Sequence, residues 1–269
     1  MAINCNITVI KLLKGMNFIM KIGFFDTGLG GATIFKEAYK KINGDFIYLA
    51  DTKNSPYGVK DFDTVRNLTE QNMITLINSG CKIIVLACNT ATSAAISFLR
   101  AKYPDIIFIG AEPAIKPAIE NCDNKKIILT ATSLTLKGNK LFHLLTKLNA
   151  VDKVELLPLD ELVEFADESS EIRYDLAEEY LKKKFSKYNL NDFSGIVLGC
   201  THFPIFKDVI RSILPDHIKI YDSADGITHN LQQKILKLDP NYNVQYKNVN
   251  LILTEESSSF RKKFNNYYI

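Results

Sequence analysis

Short apolar runs with little polar interruption alternate with amphipathic stretches from Met20 to the end of the chain. The runs are KIGFFD (21–26), DFIYLAD (45–51), KIIVLA (82–87), IIFIG (106–110), KKIILT (125–130), KVELLPL (153–159), GIVLG (195–199), IKIYD (218–222) and NVNLILT (248–254). Between them lie segments of helical spacing: ATIFKEAYKKI, roughly Phe62 to Asn78, about Thr90 to Lys102, and Leu134 to Leu148. Two acidic stretches, a helix starting near Phe203, ADGITHNLQQKIL and a terminal helix follow. Continuous apolar strands between amphipathic helices specify an α/β fold with mainly parallel sheet, covered by helices on both faces. Ligands of such sheets sit at the carboxyl ends of the strands, so the residues just past each run are the ones to weigh.

The chain has 269 residues, long enough for one large domain or two lobes. Its 33 basic and 30 acidic residues nearly cancel, which gives no argument for nucleic acid as a partner. The first 19 residues mix apolar and basic side chains, and their longest apolar run is too short for a membrane span. They are expected to be an extension, with the folded protein starting near Met20. The five cysteines are odd in number and irregular in spacing, with no CxxC, which fits a reducing cytoplasm better than a disulfide framework.

The first run ends in Asp26-Thr27-Gly28, followed by Leu29-Gly30-Gly31. Glycines there allow close backbone approach, and a helix start beyond them offers free N–H groups; an ordinary βα turn would look the same. Asp-Thr-Gly also occurs in aspartic proteases, but those are all-β and need two copies, and this chain has one. The second run leads to Ser55-Pro56-Tyr57-Gly58, a turn whose tyrosine and backbone could line a pocket. The third ends in Cys88-Asn89-Thr90. A lone strand cysteine is usually a small hydrophobe, and Cys81 and Cys122 are read that way. Cys88 stands where a strand runs out and a helix begins, a position that stabilises thiolate. The same arrangement recurs 112 residues later, where GIVLG leads into Cys200-Thr201-His202. Two copies of apolar strand, cysteine, then threonine imply two similar halves, each offering a thiol to a shared cleft. Cys88, Cys200 and His202 could also ligate zinc, but no fourth ligand is evident; a redox pair is the other alternative.

Taken together, IGFFDTGLGG, YLADTKNSPYG, VLACNTAT and VLGCTHFP resemble, in order and spacing, the glutamate racemases of the cofactor-independent aspartate/glutamate racemase superfamily. The resemblance covers nearly everything from Met20 onward. It implies two pseudo-symmetric lobes, here 20–114 plus 222–269 and 115–221, with the active site between them. It implies Cys88 and Cys200 as the two catalytic acid/base residues, Asp26 as the carboxylate beside the first thiol, and His202 as the imidazole beside the second. Glu164, in LVE, aligns with a catalytic glutamate of the family through a loose match. Asp26, Thr27, Pro56, Tyr57, Gly58, Asn89, Thr90, Thr132, Thr135 and Thr201 fall, with the cysteines and His202, on substrate-binding positions. Thr27 replaces the usual serine, and Gly138 and Leu141 stand where serine and tyrosine are common.

Racemisation takes the α-proton from one face of a flat carbanion and returns a proton to the other, which two thiols on opposite sides of one carbon can do. A thiol pKa of about 8.5 is close enough to neutrality for this work. Fixed N–H groups and hydroxyls would carry the charge that develops on the substrate carboxylate. No cofactor and no metal are expected: no GxGxxG follows a strand, and although composition alone leaves pyridoxal phosphate open, the resemblance argues against it. The resemblance further implies glutamate as substrate, supply of D-glutamate for peptidoglycan and a cytoplasmic location. A homodimer is expected, as the commonest symmetric assembly. The rivals are a racemase of the same superfamily acting on aspartate or another amino acid, and a non-catalytic amino-acid-binding protein, which should lack a thiol or a proton-steering residue.

Overall fold

The computed structural model describes residues 20–167, 169 and 171–268. The expected extension, 1–19, lies outside the described residues. Two parallel sheets form the molecule. One has the strand order β4-β3-β1-β2-β9, from Ile107–Gly110, Cys81–Leu86, Lys21–Asp26, Gly44–Ala50 and Lys247–Leu253. The other has the order β6-β5-β7-β8, from Val154–Pro158, Lys126–Ala131, Phe193–Leu198 and Lys219–Tyr221. All pairings are parallel. All nine apolar runs of the sequence therefore become strands.

Burial on both faces explains why the runs of the central strands lack alternation. On β1, Phe24 packs against Phe35 of helix α1 (Ala32–Lys41), with ring centroids 5.1 Å apart, while Phe25 points to the opposite face. Helices α2 (Phe62–Asn78) and α3 (Asn89–Lys102) cover that opposite face. Helix α10 (Ala224–Leu238) and the terminal α11 (Ser258–Tyr268) join α1 on the first. The apolar cluster around α1 continues into the second sheet through Ile128, Leu162, Ile196 and Phe203, so one core runs beneath both halves. The other face of the second sheet is covered by α4 (Ile115–Glu120), α5 (Ser133–Leu136) and α6 (Asn139–Lys147). Helices α7 (Glu161–Asp167), α8 (Tyr174–Phe185) and α9 (Lys207–Ile213) complete the set.

Two elements differ from expectation. The single helix expected over 134–148 is broken into α5 and α6 at Lys137-Gly138. A Cβ on Gly138 would lie 2.5 Å from the Ser93 hydroxyl of α3, so the break lets two halves of the molecule approach closely. The helix expected near Phe203 begins as a 3₁₀ turn, Phe203–Phe206, before α9.

Candidate active site

Strand ends build the site. β3 stops at Leu86, and Cys88 becomes the N-cap of α3, its Sγ accepting a hydrogen bond from the Ala91 N–H at 3.4 Å. β7 stops at Leu198, and Cys200 follows it in the other sheet. The two thiols line one cavity, together with Thr27, Pro56, Tyr57 and Gly58 from the first half and Thr132, Glu164, Thr201 and His202 from the second. Thr90 also lines it, with its hydroxyl 3.0 Å from that of Thr132 and 3.3 Å from that of Thr135. Thr132 caps α5 as Cys88 caps α3. The cavity has about 20 Å³ open to the centre of a water molecule, room for one or two waters.

Three residues singled out in the sequence are not among the lining of this cavity: Asp26, and Asn89 and Thr135, which line a neighbouring one. Asp26 is fully buried; its Oδ1 accepts from the Gly28 N–H at 3.0 Å and its Oδ2 from the Thr201 hydroxyl at 3.0 Å, a bond between the halves. Asn89 turns its amide to the Ala111 carbonyl at 3.3 Å, and Thr135 faces the hydroxyls of Thr132 and Thr90. Tyr57 is fixed from behind: its hydroxyl donates to Asp51 at 2.5 Å, and Asp51 also accepts from Asn72 and Thr254.

A further carboxylate escaped the sequence reading. His202 Nε2 lies 2.9 Å from Asp167 Oδ2, and His202 Nδ1 lies 3.8 Å from the Cys200 sulfur. Asp167 Oδ1 accepts from the Leu29 N–H at 3.1 Å, so the same carboxylate ties the β1–α1 loop of the first half to the histidine of the second. Glu164 lies one helical turn before it on α7, against the cavity. Asp160 also lines the cavity; it is held by the Ser133 N–H and hydroxyl. Glycines make the close approaches possible. A Cβ on Gly28 would sit 1.8 Å from Asp167 Oδ2, and one on Gly30 would sit 2.5 Å from His202 Nδ1.

The electrostatics separate the two sides. Burial, reinforced by the Asp26 carboxylate, pushes the Cys88 thiol well above its usual range. Burial also raises Asp26, against the opposing pull of His202 and the Gly28 N–H. Burial alone would lower His202, but the Asp167 contact overrides it and holds the imidazole well above its usual range. Asp167 is itself lowered: burial acts to raise it, and the His202 charge outweighs that. The Asp167 contact thus favours the charged form of the imidazole, whose Nδ1 faces the Cys200 sulfur. Among the described residues, no group of three His, Cys, Asp or Glu is arranged to hold a metal ion, and no helix is long and apolar enough to cross a membrane.

A profile of the Asp/Glu/Hydantoin racemase family matches residues 45–229. A glutamate racemase of Lachnospira eligens is 42% identical over 221 residues, spanning 81% of this chain and 83% of that protein. Among solved structures, a glutamate racemase isoform of Bacillus anthracis superposes with a TM-score of 0.82 at 24% identity, covering 92% of this chain and 93% of the other. The Francisella tularensis glutamate racemase in complex with D-glutamate superposes with a TM-score of 0.79 at 25% identity, covering 93% and 94%. With the family profile spanning most of its length, the chain belongs to the Asp/Glu/Hydantoin racemase family.

Proposed function

We propose that this protein is a glutamate racemase that interconverts L- and D-glutamate through two thiols. The observation that carries the proposal is that Cys88 and Cys200, each at a strand end of its own sheet, line one cavity. The groups beside them differ: the buried Asp26 carboxyl stands by Cys88, and the His202 imidazole, held by Asp167, by Cys200. Cys200, as thiolate, takes the α-proton of L-glutamate, and the C–H electron pair passes into the substrate carboxylate as an enediolate. Cys88, as thiol, delivers its proton to the opposite face of the α-carbon, giving D-glutamate with Cys200 protonated and Cys88 ionised. The reverse reaction starts from that swapped state.

Among the described residues neither lysine nor arginine lines the cavity, so the substrate carboxylates would be held by hydroxyls and N–H groups. Thr90, Thr132, Thr201 and the N-terminus of α3 supply them; such fixed dipoles stabilise charge as it develops. A cavity of one or two waters is far smaller than glutamate. The halves, divided as 20–114 plus 222–269 and 115–221, would part to admit substrate and close to exclude water. Glu164 would act from the cavity edge, beside the His202–Asp167 pair. A bacterial cytoplasmic enzyme of this kind would supply D-glutamate for peptidoglycan, as a homodimer.

The test is circular dichroism of the purified protein with L-glutamate and no added cofactor. Loss of optical activity supports the reading. An unchanged signal with glutamate, or faster loss with L-aspartate, refutes it. Cys88→Ser and Cys200→Ser should each fail to racemise.

A further inference from the structure

The terminal helix α11 reaches the site from behind, at a point that no strand-end motif includes. The Lys263 ammonium has three donors, and each finds a backbone carbonyl at the C-terminal end of α7: Ala166 at 2.9 Å, Ser169 at 3.0 Å and Asp167 at 3.1 Å. Those of Ala166 and Asp167 are open carbonyls at the end of the helix that carries Asp167, where a cation is favoured by both hydrogen bonding and the helix dipole; Ser169 lies two residues beyond it. Lys263 is half-buried, and α11 is anchored beside it by Phe260 and Phe264, both in the core. Phe264 packs on Tyr48 with centroids 4.6 Å apart, and the Tyr48 hydroxyl donates to the Gly28 carbonyl at 3.0 Å. The terminal helix therefore meets the β1–α1 loop twice: through Tyr48 at Gly28, and through Lys263 and Asp167 at Leu29. Asp167 then holds His202, and His202 faces Cys200.

We propose that Lys263 is a positioning residue for the Cys200 side of the reaction: by clasping the end of α7 across the two halves, it holds Asp167 where it orients His202 toward the Cys200 sulfur. The proposal rests on the two-thiol reading above. Among the described residues no lysine clasp of this kind stands behind Cys88, whose neighbour Asp26 is held by Gly28 and Thr201. The effect of Lys263 therefore falls on one proton transfer rather than on both.

The experiment compares Lys263→Met, which keeps the aliphatic stem, with Lys263→Arg, which keeps a cationic donor. The Met variant should lower kcat by about tenfold to a hundredfold, the scale of a misplaced catalytic group, with KM nearly unchanged; the Arg variant should recover most of the turnover. Raising the barrier at Cys200 alone makes breakage of the L-glutamate C–H bond more rate-limiting. The isotope effect on kcat/KM should then rise for α-deuterated L-glutamate and fall for the D-enantiomer. Unchanged turnover overturns the proposal. So does a loss of turnover with both isotope effects unmoved and a lower melting temperature, which would mark a merely structural lysine. If the wild type leaves glutamate untouched, the racemase reading fails instead, and the imidazole NMR signals of His202 decide for Lys263. The Met variant should shift the Nε2–H resonance, and an unshifted resonance overturns the proposal.

Discussion

Adding one methyl group at Gly28 should disconnect His202 from its carboxylate. A Cβ built there falls 1.8 Å from Asp167 Oδ2, 2.7 Å from its Cγ and 2.9 Å from Oδ1, so the whole carboxylate is in the way. To reach even a tight 3.0 Å contact, Oδ2 must retreat by about 1.2 Å. It now sits 2.9 Å from His202 Nε2, and the Leu29 N–H bond on its other oxygen, at 3.1 Å, would be strained by the same movement. A hydrogen bond stretched by that much is lost, and a charge-assisted one contributes roughly 1.5–3 kcal/mol. A shift of that size at a catalytic group typically costs about a hundredfold in rate. Gly28→Ala should therefore fold with a lowered melting temperature and show kcat/KM reduced by about that factor, measured by circular dichroism on L-glutamate. Asp167→Asn should produce a similar loss, and the double variant should lose little more than either single one, since both act on the same contact. A soluble Gly28→Ala protein with wild-type kcat/KM, or fully additive losses, would refute this reasoning.

Asp26→Asn should abolish racemisation without destabilising the fold, because the amide oxygen can still accept from Gly28 N–H and the amide nitrogen can meet Thr201. The folded-state pKa of Asp26 is raised, so its stability contribution is full below about pH 4 and fades as pH climbs through the folded value. Thermal melts should accordingly show the Asn variant gaining on wild type as pH rises from 4. For the His202–Asp167 pair, the raised imidazole contributes fully below about pH 6.5 and loses its contribution as pH rises through the folded value. The lowered carboxylate contributes above about pH 4 and loses its contribution as pH falls through its own folded value. The melting-temperature gap between wild type and Asp167→Asn should thus be widest between those limits and narrow on either side. Gly58→Ala should raise KM, since its new Cβ would press on the Thr132 side chain at 2.9 Å inside the cavity.

The central strands were legible because they are buried on both faces and read as nearly unbroken apolar runs; β1 and β3 are the plainest, whereas the edge strand β9 is largely exposed. The thiols were legible because the strand–cysteine–threonine arrangement occurs twice. What the sequence hid depends on tertiary approach. At the break, Gly138 lies against Ser93, 45 residues earlier, and no local pattern reports that approach. Asp167 lies in the stretch DELVEFADESSE, where acidic residues recur so often that spacing cannot choose among them. The usable signal was indirect: Glu164 and Asp167 are one turn apart on one helical face, and a DTGLGG loop needs small residues only if something packs onto it. Asn89 and Thr135 line a neighbouring cavity rather than the one that the thiols share, a distinction that no local pattern carries.

The central claim is that two separate thiols serve the two faces of one carbon, and proton bookkeeping in heavy water tests it most directly. Wild-type enzyme is given a single enantiomer of glutamate in deuterium oxide, and both enantiomers are recovered after a small fraction of conversion and analysed for α-deuterium. The account expects deuterium in the newly formed enantiomer and protium in the recovered starting one, because the incoming proton comes from a thiol that never held the outgoing one. Equal labelling of both enantiomers from the outset would mean that one base serves both faces, and would contradict the account.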